Sequence, residues 1–237
     1  MSLKKTIELQ TIISALLVSV MTITLLGVLL GLEYVDSNLG SSLIDINKEQ
    51  TQSANVVTSV VTYFRGLDTL GEVTILFLSI FGIGLGIEKS EKMKNILSYD
   101  NTLLKLGAKV LFPLIVLFGF YIIIHGHLSP GGGFQGGVIV ASGFLLMLLA
   151  YGEEFHLDHK IITVFESLSG AGFVLVGILG VILGDLFLSN ILPLGTLRDL
   201  FSSGVMPIIY IFVGLKVAAE ITVLIEYFLR TEDVRES

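Results

Sequence analysis

An all-α, polytopic membrane fold is predicted by this sequence on three observations. The 237-residue chain is 53% hydrophobic and only 15% charged, well beyond the apolar content of an ordinary soluble domain. Its apolar residues gather in runs near the roughly 20 residues needed to cross a hydrocarbon core about 30 Å thick. Polar or glycine-rich turns separate those runs. The composition also excludes several chemistries. With no cysteine, the chain offers no disulfide, thiolate metal site, iron–sulfur cluster or thiol nucleophile. The balance of 14 Lys+Arg against 21 Asp+Glu, with no basic patch among aromatics, leaves no footprint for nucleic acid.

Taken in order, the apolar runs read as about six transmembrane helices, at 9–32, 72–88, 106–125, 134–151, 161–185 and 205–229. The first follows Lys4 and Lys5 and lacks a small-residue cleavage signature, so a retained anchor is expected rather than a signal peptide. Residues 33–50 are polar and read as an outer loop. The piece "TQSANVVTSVVTYF" (51–64) is apolar but too short to cross, and reads as a half-helix or interfacial helix ending at "RGLDTLGE". The charged stretch "EKSEKMKNILSYDNT" (88–102) is the longest polar interruption. It predicts a membrane segment over 1–88, a linker over 89–104 and a four-helix membrane domain over 105–237.

Lys and Arg are retained on the cytoplasmic side, so their placement predicts orientation. With both termini inside, ten cations (Lys4, Lys5, Lys89, Lys92, Lys94, Lys105, Lys109, Lys160, Arg230, Arg235) lie in the cytoplasm and three (Lys48, Arg65, Arg198) outside. A multi-pass protein of the cell membrane with cytoplasmic termini is the expectation.

Ionisable side chains at mid-helix cost roughly 2.5–3.5 kcal/mol each on insertion scales, which makes them the first functional candidates. Lys216 and Glu220 lie near the middle of the last span, four residues apart and on one helical face. Two readings stand for them, an internal pair that hides two charges and an element of a proton or cation relay. Glu166 lies about a turn into the fifth span, as an interfacial carboxylate or a pathway residue. Asp185 and Glu226 sit at span ends, where solvation at the interface is the expected state. Arg65, Asp68 and Glu72 are spaced by three and four, which puts them on one face of any continuous helix; Gly66 and Gly71 mark where that helix breaks if it does. A broken helix exposes N–H groups that favour carboxylates and ions. Gly177, Gly180 and Gly184 share a face of the fifth span, and read as a helix-packing stripe.

The stretch "HGHLSPGGGFQGG" (125–137) joins the third and fourth spans. Its glycines are not followed by the lysine of a phosphate loop, and His125 and His127 point to divergent faces. What remains is backbone chemistry: Pro130 and Gly131, Gly132 and Gly133 permit a tight turn, while Gly136 and Gly137 allow close helix packing. The run "HLSPGGGFQGGVIVASGFLL" resembles the signature of the MnhB/MrpB subunit of multisubunit Mrp-type sodium/proton antiporters. It does so through Ser129, Pro130, Gly131, Gly132, Gly133, Phe134, Gln135, Gly136 and Gly137, and the likeness extends over about 105–230. Upstream, "FRGLDTLGEVTILFLSIFGI" is similar to the C-terminal end of the large MrpA subunit, with Arg65, Asp68, Thr69, Gly71 and Glu72 at the matching positions.

The resemblance implies a non-catalytic subunit contributing to a Na⁺ and/or H⁺ path. Glu72, with Asp68 and Thr69, is implied as a ligand for sodium or a proton, Na⁺ is one of the two ions the path is implied to carry, and neither a resident cofactor nor a bound metal is implied. The implied partners are other Mrp-like membrane subunits, a large antiporter-like subunit and a peripheral redox arm. Fusion of the two segments in one short chain points to a membrane-bound hydrogenase or sulfane sulfur reductase as host. Two rivals stay open: a quinone- or haem-associated membrane anchor using the histidines, and a purely structural brace of the membrane arm.

Overall fold

The computed structural model describes residues 15–24, 26–27, 30, 39–86 and 102–229. The chain divides into two compact units, 1–40 and 41–237. In the first, helix α1 (Ala15–Thr24) is apolar, and the Ser19, Thr22 and Thr24 hydroxyls donate to carbonyls one turn back at 2.8–3.0 Å. Such back-bonding satisfies a hydroxyl without a partner helix. The remainder of the expected span 9–32 falls largely outside the described residues.

The second unit begins within α2 (Leu39–Gln50). This corrects the expectation of a loop over 33–50. The helix is polar on average and carries an exposed Lys48–Asp45 pair, with Leu39, Leu43 and Ile46 spaced at one turn along one face. Buried Asn47 closes its end, donating to the Ser53 carbonyl at 2.9 Å and accepting from the Thr51 hydroxyl at 2.6 Å.

Helix α3 (Val56–Ser59) runs on into a π-helical turn over Val60–Phe64, and α4 (Gly66–Gly86) follows after Arg65. The expected half-helix is therefore present, and α4 starts six residues before the expected 72. The break sits at Arg65, not at Gly71, which lies inside α4 with open space where a Cβ would be. Gly66 is required there, since a Cβ would stand 2.2 Å from the Leu188 side chain.

Four further long helices complete the unit: α5 (Thr102–Ile124), α6 (Gly133–Tyr151), α7 (His159–Gly184) and α8 (Met206–Leu229). With α4, they make five helices long and apolar enough to cross a membrane among the described residues. The chain is a multi-pass, all-helical membrane protein. Residues 87–101 lie outside the described ones, and with them most of the expected linker.

Helix α8 is the hub. It runs parallel to α4, because Val73 clusters with Val213 and Val217, Phe77 lies under Lys216 and Gly84 meets the Tyr227 ring. It also runs parallel to α6, with Gly133 against the Tyr210 carbonyl and Gly137 against the Gly214 carbonyl. Antiparallel α7 completes the core through Phe173, together with Leu188 from the connection that follows it. The outer faces of α4, α5 and α7 display Leu78, Phe81, Leu117, Phe118, Val164 and Leu168, the surface expected toward lipid or other subunits.

The stripe of Gly177, Gly180 and Gly184 does not pack helices. Cβ atoms there would lie 2.1 Å from Phe187, 2.7 Å from the Ser189 nitrogen and 2.5 Å from the Ser189 side chain. The stripe instead makes room for residues 186–191, which fold back along α7 after Asp185 turns the chain in the left-handed region (φ 66°), a conformation Asp tolerates better than most.

Candidate functional site: a cavity at the α3–α4 break

The SPGGG turn and the start of α3 are stitched together. Asn55 caps α3, and its amide nitrogen donates to the Gly126 and Ser129 carbonyls at 3.0 and 2.9 Å. The Thr58 hydroxyl donates to the Gly126 carbonyl at 2.8 Å, and the Ser53 hydroxyl to that of His127 at 2.9 Å. Gly131 and Gly132 adopt φ of 153° and 144°, open only to residues without a Cβ. The Gly126, His127 and Ser129 carbonyls, withdrawn from helix by the turn, thus meet short polar side chains.

The π turn aims Thr62 inward, where its hydroxyl donates to that of Tyr210 at 2.6 Å; the Tyr210 hydroxyl in turn donates to the Thr58 carbonyl at 3.1 Å. Across the break, the Thr69 hydroxyl reaches back to the Val61 carbonyl at 2.8 Å. One-turn π segments inside helices recur at functional sites because they expose backbone and reorient side chains. Between these parts lies a cavity of about 560 Å³, whose polar lining includes Asn55, Thr58, Thr62, Thr69, Glu72 and Gln135, with Pro130, Gly131, Gly133 and Phe134 completing the wall.

The expected acidic face is split. Thr69 and Glu72 line the cavity, while Arg65 and Asp68 pair with each other at 2.5 Å and line a separate recess beside Leu186 and Phe187. Gln135 reaches the cavity rim and is exposed. Glu72 is also exposed on α4. An exposed carboxylate on a spanning helix requires water or a partner chain beside it.

Lys216 and Glu220 form a direct ion pair at 2.7 Å with side chains 13% and 1% exposed. The ammonium rests over the Phe77 ring, 4.9 Å from its centroid, and the second Glu220 oxygen has no hydrogen-bond partner among the described residues. The Glu166 carboxylate acts on Glu220 electrostatically from α7. Glu226 departs from its expected solvated state. Its side chain is 2% exposed and lies 3.3 Å from the His159 ring. Span-end position alone carries no signal of that burial, because the N-terminus of α7 covers it.

The histidines divide between the two ends. His125 stacks on Tyr121, whereas His127 is fully buried with Nε2 3.4 Å from the Asp199 carbonyl. Burial, reinforced by the nearby His125, holds the His127 pKa below the ordinary imidazole value.

Comparison with known proteins places these features. A family described as "Domain related to MnhB subunit of Na+/H+ antiporter" matches residues 103–223. An uncharacterised protein of Methanocaldococcus jannaschii is 30% identical over 198 residues, 70% of this chain and 73% of that one. A Na(+)/H(+) antiporter subunit of Bacillus subtilis is 37% identical over 83 residues, which make up 35% of this chain and 57% of that one. Among solved structures, a chain of the membrane-bound sulfane sulfur reductase, an archaeal respiratory membrane complex, superposes with a TM-score of 0.75 at 36% identity, covering 94% of this chain and 100% of that one. A chain of the Mrp complex from Dietzia sp. DQ12-45-1b shares the fold, with a TM-score of 0.66 at 24% identity, covering 100% of this chain and 27% of the other.

Proposed function

Because this chain belongs to the MnhB family of Na⁺/H⁺ antiporter subunits, we propose that it lines part of a Na⁺ and/or H⁺ path within a larger membrane complex. The observation that carries the reading is the cavity at the α3–α4 break, where Glu72 stands among hydroxyl, amide and backbone oxygens. A hard cation is held by several such oxygens, and interrupted helices supply them at membrane depth in transporters. The chain has no catalytic role of its own in this reading. Glu72 completes its surroundings with groups from other Mrp-like membrane subunits and a large antiporter-like subunit, which accounts for its exposure on the isolated chain. The extent of the likeness to the sulfane sulfur reductase chain favours a respiratory complex with a redox arm as host. Both termini are assigned to the cytoplasm by the cation distribution.

Glu72→Gln is expected to leave the partner chains co-purifying and to abolish sodium-dependent transport in membrane vesicles. Unchanged transport rejects the reading. For Lys216 and Glu220 a second reading has its own support, since the direct 2.7 Å contact is also what a brace that merely neutralises two charges requires.

A further inference from the structure

The ionisable groups do not stop at the cavity; they continue along the seam between α7 and α8. Contacts fix the register of these antiparallel helices: Gly172 meets Phe212, a Cβ on Gly170 would lie 3.6 Å from the Lys216 ammonium, and His159 meets Glu226. Counting between those points sets Glu166 level with Glu220, in agreement with their electrostatic interaction. From Tyr210, on the cavity wall, to Glu226 the helix rises about 24 Å, most of a hydrocarbon core about 30 Å thick.

The far end of the seam is graded in exposure. The His159 side chain is 49% exposed and that of Glu226 2%. A solvent-facing imidazole thus covers a sealed carboxylate, the order in which a proton must meet two groups to leave water for the interior. The same end carries Lys105, paired with Glu154 at 2.9 Å, with His156 and Asp158 in the link before α7, Lys160 on α7 and Tyr227 on α8. Leu148, Leu229, Phe155 and Leu157 form an apolar cluster there.

We propose that His159 and Glu226 form a proton-exchange site at the end of the α7–α8 seam opposite the cavity, handing protons between solvent and the Glu166, Glu220 and Lys216 group. The site rests on the reading of this chain as part of an ion path. In the inward direction the imidazolium Nε2 gives its proton to a Glu226 oxygen, and the ring takes another from water. Glu226 passes the proton through a short file of waters, over about 9 Å of helix rise, to Glu166 or Glu220. Protonation of Glu220 dissolves its ion pair, and Lys216 releases one proton toward the cavity. One proton enters, one leaves, and re-ionisation of Glu220 onto Lys216 restores the starting charges.

The test uses the whole complex in membrane vesicles, with proton movement followed across about two pH units on either side of the imidazole value of about 6.5. Glu226→Gln should slow proton movement roughly 100-fold with partner subunits still bound, and Glu226→Asp should restore most of it. His159→Gln should alter the pH profile of proton movement, through loss of the group that exchanges with solvent. Wild-type rates and an unaltered pH profile in both Glu226→Gln and His159→Gln overturn the site. If Glu226→Gln fails to assemble, the half-exposed His159→Gln decides by its profile alone. Glu72→Gln run alongside separates the two ideas. Loss of sodium-dependent transport there, with normal profiles in the seam variants, sinks the exchange site and keeps the cavity; the reverse pattern sinks the cavity and keeps the site.

Discussion

Two seams meet on α8, and they are built on opposite principles. Toward α5 and α6 the helices approach until backbone touches backbone. Gly119, Gly133, Gly136, Gly137 and Gly214 all lie where a Cβ would come within 2.4–2.7 Å of a neighbouring atom. Toward α7 and α4 the contact holds Lys216, Glu220, Glu166 and Glu226. Without a hydrophobic drive between helices in lipid, close packing of small residues is what fastens them. The glycine seam therefore fixes the frame, and the charged seam is where the chain keeps costly groups. A polar network in a membrane holds its geometry only if something else supplies rigidity, and here the two tasks are divided between opposite sides of one helix.

The largest expected effect breaks the charged seam from one side only. Lys216→Met leaves Glu220 without its ammonium in a site 1% exposed, and loss of one partner of a buried pair costs about 3–5 kcal/mol. Combining Lys216→Met with Glu220→Leu should recover nearly all of that stability, because both charges leave together. Thermal midpoints of the purified complex measure both. Pumping by the stable double variant then separates the roles: a relay predicts that proton movement is lost, whereas full pumping assigns the pair to bracing.

A somewhat smaller loss is expected from the glycine seam. Gly137→Val adds a Cβ that would stand 2.7 Å from the Gly214 carbonyl and 2.9 Å from Val217, and neither the backbone nor a branched core side chain can move aside. Overpacking of this kind costs about 1–3 kcal/mol, seen as a lower melting midpoint and weaker retention of partner subunits. Gly71→Ala is the contrast, since nothing lies within 4 Å of that Cβ; it should leave the midpoint unchanged within error.

What can be read from residues alone follows the same division. The glycine seam is legible because Gly136 and Gly137 have one common use in a span, and the spans themselves follow from run length. The Lys216–Glu220 pair is legible from a spacing of four. The α3–α4 break falls beside Gly66, one of the two glycines at which the sequence allows it, but the turn that precedes it, Val60–Phe64, contains neither glycine nor proline and leaves no local trace. Its cause is tertiary, in the Thr62–Tyr210 and Thr69–Val61 bonds. Helix α2 is too short and too polar on average to register by run length, although Leu39, Leu43 and Ile46 keep a helical spacing. Glu226 reads as solvated because position in a span says nothing of which neighbouring terminus lies over it, and Gly177, Gly180 and Gly184 mislead because the returning segment 186–191 leaves no periodic trace.

The smallest effect sharpens the comparison at the cavity end, where side-chain hydrogen bonds tie the loops together. His127 is fully buried, its Nδ1 has no hydrogen-bond partner, and its carbonyl ties the turn to Ser53 and Asn55. Burial lowers its folded-state pKa, so the unfolded chain binds the proton more tightly, at an ordinary value of about 6.5. The stability this neutral ring contributes is complete above that value. It declines as pH falls from there through the lower folded value, at no more than about 1.4 kcal/mol per pH unit. Melting midpoints taken between about pH 5 and 8 should drop on the acid side in the wild type and flatten in His127→Gln, while His125→Gln, whose parent ring is half-buried and stacked on Tyr121, should keep most of the slope. An acid-side drop of equal size in His127→Gln would show that the buried His127 ring is not its source.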